Sequence, residues 1–302
     1  MEWKKLGQVF APDHHYDWMV SHAANPVADQ LSDSLYRVYS SCRDKNNKSS
    51  ICYIDFNINQ PDKILNISKT PILSPGDPGY FDDSGVTVTG LVTVDKIKYL
   101  YYLGWNLGVT VPWRNSIGLA ISDLTGCIFT KYSPAPIIDR NSVDPLSISY
   151  PWILHENGIW KMWYGSNLEW DQDNDCSFRF CIKYAESENG INWRRDGIIA
   201  ITFESADEYA LARPCVIKDN GIYKMWYSYR GISYRIGYAE SDDGINWTRL
   251  DEEVGIDVSK TGWDSEMIEY PHVFDHKSNR YMLYNGNGYG KTGFGLAVLE
   301  SD

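Results

Sequence analysis

Five tyrosines, Tyr39, Tyr102, Tyr164, Tyr227 and Tyr284, recur along the chain at steps of 63, 62, 63 and 57 residues. Each lies in a segment of one type: "DSLYRVYSSC", "KIKYLYYLGW", "NGIWKMWYGS", "NGIYKMWYSY" and "SNRYMLYNGN". A second apolar run follows each copy: "SICYIDF", "SIGLAIS", "CIKYAES", "RIGYAES" and "GFGLAVL". Another precedes it, introduced by proline in "NPVA", "YPWIL", "RPCVI" and "YPHVF", whereas the second copy, "DSGVTV", has glycine there. Alternating aromatic and polar residues over five to seven positions, bounded by Gly, Asn and Asp, predict strands, and no sustained 3.6-residue pattern competes with them. The Asn189-Gly190 and Asp243-Gly244 pairs suit turns with positive φ, which predicts a further strand from Trp193 and from Trp247. A period of this length means one supersecondary unit, here four antiparallel strands, built five times.

Four-stranded units repeated radially keep exposed sheet edges short, so the expected fold is all-β, a five-bladed β-propeller with four antiparallel strands per blade. The phrase "YAESDDGINWTR" (238–249) has a near copy at 184–195, but the chain ends on "LAVLESD" and begins "MEWKK". Its head stands at one terminus and its tail at the other, with Trp3 aligned to Trp193 and Trp247. Residues 1–302 are therefore expected to be a single domain whose ring is closed by 1–11 pairing with 272–300. A two-sheet sandwich of tandem hairpins is the alternative, and it leaves the split phrase unexplained.

With 28 basic and 40 acidic residues the net charge is -12, which repels phosphate backbones and anionic lipid surfaces, so neither nucleic acid nor membrane is an expected partner. The first residues lack an apolar leader core and no apolar run approaches bilayer length, which makes a cytoplasmic protein the expectation. Cys42, Cys52, Cys127, Cys176, Cys181 and Cys215 have no zinc spacing and read as reduced, mostly buried thiols, with Cys42 and Cys52 able to pair in an oxidising compartment. The 12 Trp, 22 Tyr and 9 Phe suit sheet packing, sugar stacking or both.

In a propeller the first strand of each blade lines the central channel, and the turn after strand two returns to the face where strand one begins. Strand-one starts bring His22, Asn25, Asp82, Asp83, Tyr150, Glu208, Arg213, Glu266, Glu269 and His272 to that mouth; the turns add Arg43, Trp105, Arg114, Trp170, Tyr229 and Arg230. The repeated aromatics, Tyr164, Tyr227, Trp193 and Trp247, read as inter-blade packing. Trp105, Trp170 and Tyr229 do not repeat and are candidates to face a ligand.

Together, the "Y-P-x-V" strand starts, "YKMWYS" second strands and "YAESDDGINWTR" units resemble the five-bladed propeller glycosidases, a superfamily that includes arabinanases and β-xylosidases, invertases and levansucrases, and mannoside phosphorylases. The likeness spans the whole chain. It implies a small-molecule carbohydrate substrate and a pair of carboxyl groups at the mouth, one protonating the leaving oxygen and one activating water or attacking C1. In these families one acid directly precedes the first-blade proline and another sits two residues before a later one. Here Asn25 replaces the first, "SISYP" carries none, and Glu269 in "EYP" matches the second. The expected roles are Glu269 as general acid and Asp83 as base or charge partner, with Asp82, Glu208 or Glu266 as substitutes. His22, Asn25, Asp82, Trp105, Tyr150, Trp170, Glu208, Arg213, Arg230, Glu266 and His272 are the expected substrate contacts. No cofactor is expected, although His272 could hold an axial metal and the "PDHHYD" cluster (Asp13, His14, His15, Asp17) has metal-ligating residue types. Two other functions fit: a phosphate-dependent phosphorylase using Arg43, Arg114, Arg213 and Arg230, or a propeller that binds carbohydrate or protein without turnover.

Overall fold

The computed structural model describes residues 1–171 and 177–300. Strand β1 (Trp3–Phe10) is followed by β2 (Ser21–Gln30), β3 (Leu35–Arg43), β4 (Ser49–Asn57) and β5 (Gln60–Ile67), an antiparallel meander. A second holds β6 (Gly85–Val94), β7 (Ile97–Leu107), β8 (Trp113–Ser122) and β9 (Thr130–Lys131). The third comprises β10 (Ile148–Glu156), β11 (Ile159–Asp171), β12 (Ser177–Ser187) and β13 (Ile199–Ile201); the fourth β14 (Ala210–Asp219), β15 (Ile222–Arg230), β16 (Tyr234–Ser241) and β17 (Thr248–Arg249). The last, β18 (Glu269–His276), β19 (Asn279–Asn285) and β20 (Phe294–Leu299), is completed by β1, with Trp3 opposite Leu299 and Phe10 opposite Phe294.

First strands of neighbouring meanders lie against one another in the order β2, β6, β10, β14, β18 and back to β2. Polar side chains clamp several of these junctions. The Tyr270 amide donates to Ser228 Oγ (2.7 Å), the Asn25 amide to Asn285 Oδ1 (2.7 Å) and the Val88 amide to Ser41 Oγ (2.9 Å). Buried amides need such acceptors where no ladder reaches them.

The five repeated tyrosines are all 0% exposed and build the core. Tyr39 donates to the Gly126 carbonyl (2.9 Å) and, at 3.5 Å, to Asp29; the other four donate to carboxylates, Tyr102 to Asp82, Tyr164 to Asp144, Tyr227 to Asp251 and Tyr284 to Asp264. These acids also meet a base from the outer edge of the meander. Lys131 pairs with Asp82 (2.6 Å), Lys5 with Asp264 (2.7 Å), and Arg195, with Lys183, pairs with Asp144 (each 2.9 Å). Arg249 bridges Asp251 (2.5 Å) and Glu208 (2.8 and 2.9 Å). The base stands two residues after an aromatic each time: Trp3/Lys5, Phe129/Lys131, Trp193/Arg195 and Trp247/Arg249. Asp82 and Glu208, expected at the ligand, are thus committed to scaffold ion pairs.

Outer strands are shorter than the sequence suggests. Beyond Trp193 there is one bridge, Arg194 to Glu186, then the three residues of β13; beyond Trp247 only the two of β17. The "NGINW" and "DGINW" turns are held instead by side chains, Asn189 accepting from the Ile191 and Asn192 amides and Asp243 from those of Ile245 and Asn246. Cys42 and Cys52 are buried free thiols with their sulfurs 3.0 Å apart, and Cys176 lies outside the described residues. Among the described residues no helix is long and apolar enough to cross a membrane.

Candidate functional site

Proline has no N–H to give a sheet ladder, so the strands that begin with it must bulge there. Pairing skips between Ser149 and Trp152, between Ala212 and Cys215, and between Glu269 and His272. The residue before each proline lies in the left-handed region: Asn25 (φ 57), Tyr150 (43), Arg213 (53) and Tyr270 (55). A non-glycine residue held there costs about 1–3 kcal/mol, and such strain gathers at functional sites. Here it falls on the equivalent residue of four meanders.

In β6 the skip lies between Val88 and Gly90, so Thr89 occupies the proline position. The alignment that equated Gly85 with the prolines is corrected by four residues. Glu269 pairs with Asn285, the residue after Tyr284; its counterparts are Thr87 opposite Leu103, Ser149 opposite Gly165 and Ala212 opposite Ser228. Ala24 stands two residues before the first proline. At this level of the site Glu269 is the one carboxyl group.

Glu269 is 0% exposed and neither of its oxygens has a hydrogen-bond partner of good geometry. Burial pushes its carboxyl well above the usual carboxylate range, with the Arg230 guanidinium and the Tyr289 backbone N–H acting more weakly in the other direction. Tyr150, Tyr234 and Tyr270 all feel its charge, and burial raises each phenol. The Tyr270 ring lies 5.5 Å from Tyr150 and 6.0 Å from Tyr234. Arg230 donates to the Tyr289 hydroxyl (2.5 Å) and sits 5.2, 5.3 and 5.5 Å from the Tyr209, Tyr234 and Tyr289 rings. Tyr289 comes from the β19–β20 connection and has φ 60.

Arg213 is fully buried, donates Nη2 to the Pro26 carbonyl (3.3 Å) and has no acceptor among the described residues for Nε or Nη1. His272 is buried with its ring 5.3 Å from Trp152; burial, and then Arg213, lower its pKa to about 3, so the ring is neutral. The Asn25 side-chain oxygen likewise lacks a partner. Native interiors leave few buried polar atoms unpaired, so this concentration marks the strand-start end as the place where a ligand's polar groups fit. Two shallow recesses of about 420 and 290 Å³ open at the other ends of the strands, beside Glu186 and Asp275, with none of this chemistry.

The other expected residues are scattered. Asp83 lies ahead of β6, accepting from the Gly79 amide (2.9 Å), Ser84 Oγ (3.0 Å) and Asn106 Nδ2 (2.7 Å). Partial burial pushes it up, but these donors and Lys48 hold it below its ordinary value. His22 contacts Ser21 Oγ (2.9 Å), and burial, then Arg43 and Lys291, lower it to about 4. Trp105 donates to Ser49 Oγ (2.9 Å). Trp170 packs edge-on against Trp113 (4.7 Å) in an aromatic run that continues through Phe178 to Tyr209. Glu266 is exposed, its amide donating to Asn287 Oδ1 (2.8 Å). Among the described residues no three His, Cys, Asp or Glu side chains gather as a metal site, either around His272 or in 13–17, where His15 Nδ1 accepts from the Asp13 amide. Sequence reasoning missed Tyr234, Tyr270 and Tyr289. The shared "SYP" and "EYP" strand starts and the glycine-flanked "GYG" were the available signals.

No protein-family model matches the chain. Two curated proteins from Mycobacterium tuberculosis, uncharacterized proteins MT1551 (strain CDC 1551 / Oshkosh) and Rv1502 (strain ATCC 25618 / H37Rv), are 48% and 47% identical to it over 301 residues, the whole of each chain. The chain belongs to their family. Among solved structures it resembles a glycoside hydrolase (TM-score 0.75, 16% identity, 99% of this chain and 92% of that one) and a thermostable family-43 glycoside hydrolase (0.71, 16%, 95% and 93%). It also resembles a structure described under the mannoside phosphorylase family that contains hydrolases targeting β-1,2 mannosidic linkages in Candida mannan (0.67, 18%, 99% and 93%). The chain therefore has the fold of the β-propeller glycosidase superfamily.

Proposed function

We propose that the chain is a five-bladed propeller enzyme acting on a glycosidic bond of a small carbohydrate, with Glu269 as general acid. The observation that carries this is a fully buried carboxyl with no ion pair, raised well above its ordinary range by burial. Such a group holds its proton more tightly than an exposed carboxyl does and is placed to donate it. As the bond from C1 to the leaving oxygen breaks, that oxygen takes the electron pair and the Glu269 proton, while an incoming oxygen bonds C1. The cyclic order of first strands supports the five-bladed reading. Tyr150 and Tyr289, the less buried rings of the cluster, offer faces for the sugar, and Asn25 an unpaired amide oxygen for a hydroxyl.

The second catalytic group is less conventional. No other carboxyl shares the level of Glu269, and Asp83 stands outside the strand, ionised and locally bonded. Asp83 therefore fits the charge-partner role better than that of base. This favours, as the second reading, an incoming oxygen that needs no base, such as phosphate in a phosphorolytic reaction.

The test is turnover of oligosaccharides and aryl glycosides, with and without phosphate, read by mass spectrometry for the wild type and Glu269→Gln. Loss of the acid is expected to lower turnover about 10²–10⁴-fold on alkyl or sugar leaving groups. Dinitrophenyl glycosides, whose leaving group needs no protonation, should lose far less. Equal rates for both proteins on every substrate would remove Glu269 from the chemistry.

A further inference from the structure

Arg213 is the unexplained charge of the site. It is fully buried, strained at φ 53, and no acidic side chain among the described residues acts on it; its charge neighbours are Cys215, Tyr150 and Tyr270. Burial lowers its pKa to about 10, which still leaves it protonated at neutral pH. The groups around it bring no negative charge, since burial keeps both phenols and His272 neutral. A guanidinium that only propped up the fold would need its contacts with the Pro26 carbonyl and the Trp152 face, 5.8 Å away, and would leave Nε and Nη1 desolvated for nothing. An unpaired buried charge is among the more destabilising features a fold can carry. Arg43 adds a second positive influence on Tyr150, in a chain whose overall charge is -12.

From this we infer that Arg213 receives an oxyanion of the ligand beside the Tyr150–Tyr270 pair that it shares with Glu269. Planar guanidinium donors match carboxylate and phosphate oxygens, and the dry surroundings strengthen the bond. The oxyanion has two possible sources: an acidic group on the sugar, or a free phosphate that enters as co-reactant. The inference deepens the glycosidase reading and rests on it only for the rest of the ligand.

The experiment is calorimetric titration of the full chain with inorganic phosphate, with glucuronate, and with methyl glucoside as a neutral control. Wild type, Arg213→Met, Arg213→Lys and Glu269→Gln are compared. At least one oxyanion is expected to bind saturably to the wild type and to lose at least about tenfold in affinity in Arg213→Met, while methyl glucoside does not distinguish the two. Binding of phosphate alone assigns the co-reactant, and of glucuronate alone an acidic sugar. Should Arg213→Met not fold, Arg213→Lys keeps the charge without the planar donors and is expected to lose several-fold. Glu269→Gln should retain oxyanion binding, so a failure of the catalytic reading leaves this result standing. Absence of saturable oxyanion binding to the wild type, or unchanged affinity in the Arg213 variants, overturns the inference.

Discussion

Asp144, ahead of β10, and Glu269, at the start of β18, are both fully buried carboxyls, and their chemistry is opposite. Asp144 accepts from Tyr164, Ser166, Lys183 and Arg195; burial pushes it up, but these partners win and hold it below its ordinary value. Glu269 has burial without such partners, and its carboxyl is raised. The difference teaches that burial alone does not make a catalytic acid. What decides is whether the fold supplies the countercharge or leaves it to a ligand.

The largest expected effect that tests this contrast is on catalysis. Glu269→Gln should lower turnover on poor leaving groups about a thousandfold and leave the protein folded, as circular dichroism would show. The converse change, Asp144→Ala, strips two bases of their partner and should cost about 3–5 kcal/mol of stability. Denaturant titration reads that loss, and a value under about 1 kcal/mol, the size of a surface pair, would show that the Asp144 ion pairs contribute no more than exposed ones.

A pH series sharpens the comparison. The folded Glu269 carboxyl binds its proton more tightly than the unfolded one, so above its ordinary value of 4.5 the unfolded chain ionises first and stability falls as pH rises. The slope from this group is at most about 1.4 kcal/mol per pH unit. Glu269→Gln should therefore gain melting temperature over the wild type, increasingly as pH rises above 4.5. His272 acts in the other direction. Its folded value of about 3 lies below 6.5, so its contribution is complete above 6.5 and is lost as pH falls toward 3. His272→Gln should flatten the acid side of the thermal profile, and an unchanged acid limb would contradict a buried neutral ring.

The smallest effect is expected at Asp83. Its place ahead of β6 predicts less than about a tenfold change in turnover for Asp83→Asn, below the usual range for a general base. A thousandfold loss would restore it as the base that activates water.

Much of the scaffold was legible because its causes are local or periodic. Alternation marked the strands, and the spacing of Tyr39, Tyr102, Tyr164, Tyr227 and Tyr284 marked the repeat, since each tyrosine fills one equivalent core position. The residue two before Pro271 was legible as a carboxyl at a strand start. Asp82 and Glu208 were misleading because an acid near the mouth looks the same in sequence whether or not a lysine or arginine from an outer edge reaches it. The "W-x-K/R" spacing carried that information, but only the folded pairs say which acid each base meets.

Sequence by itself determined an all-β chain of repeated antiparallel units and the residue types at each strand start, because side-chain alternation, turn chemistry and proline's missing donor act within a few residues. Tertiary structure decided which of those residues are free to act. Register moved the second meander by four residues and left Glu269 alone at its level, and ion pairing between elements tied Asp82 to Lys131 and Glu208 to Arg249. Burial without an ionic partner among the described residues, at Glu269 and Arg213, exists only once strands far apart in the chain close around them.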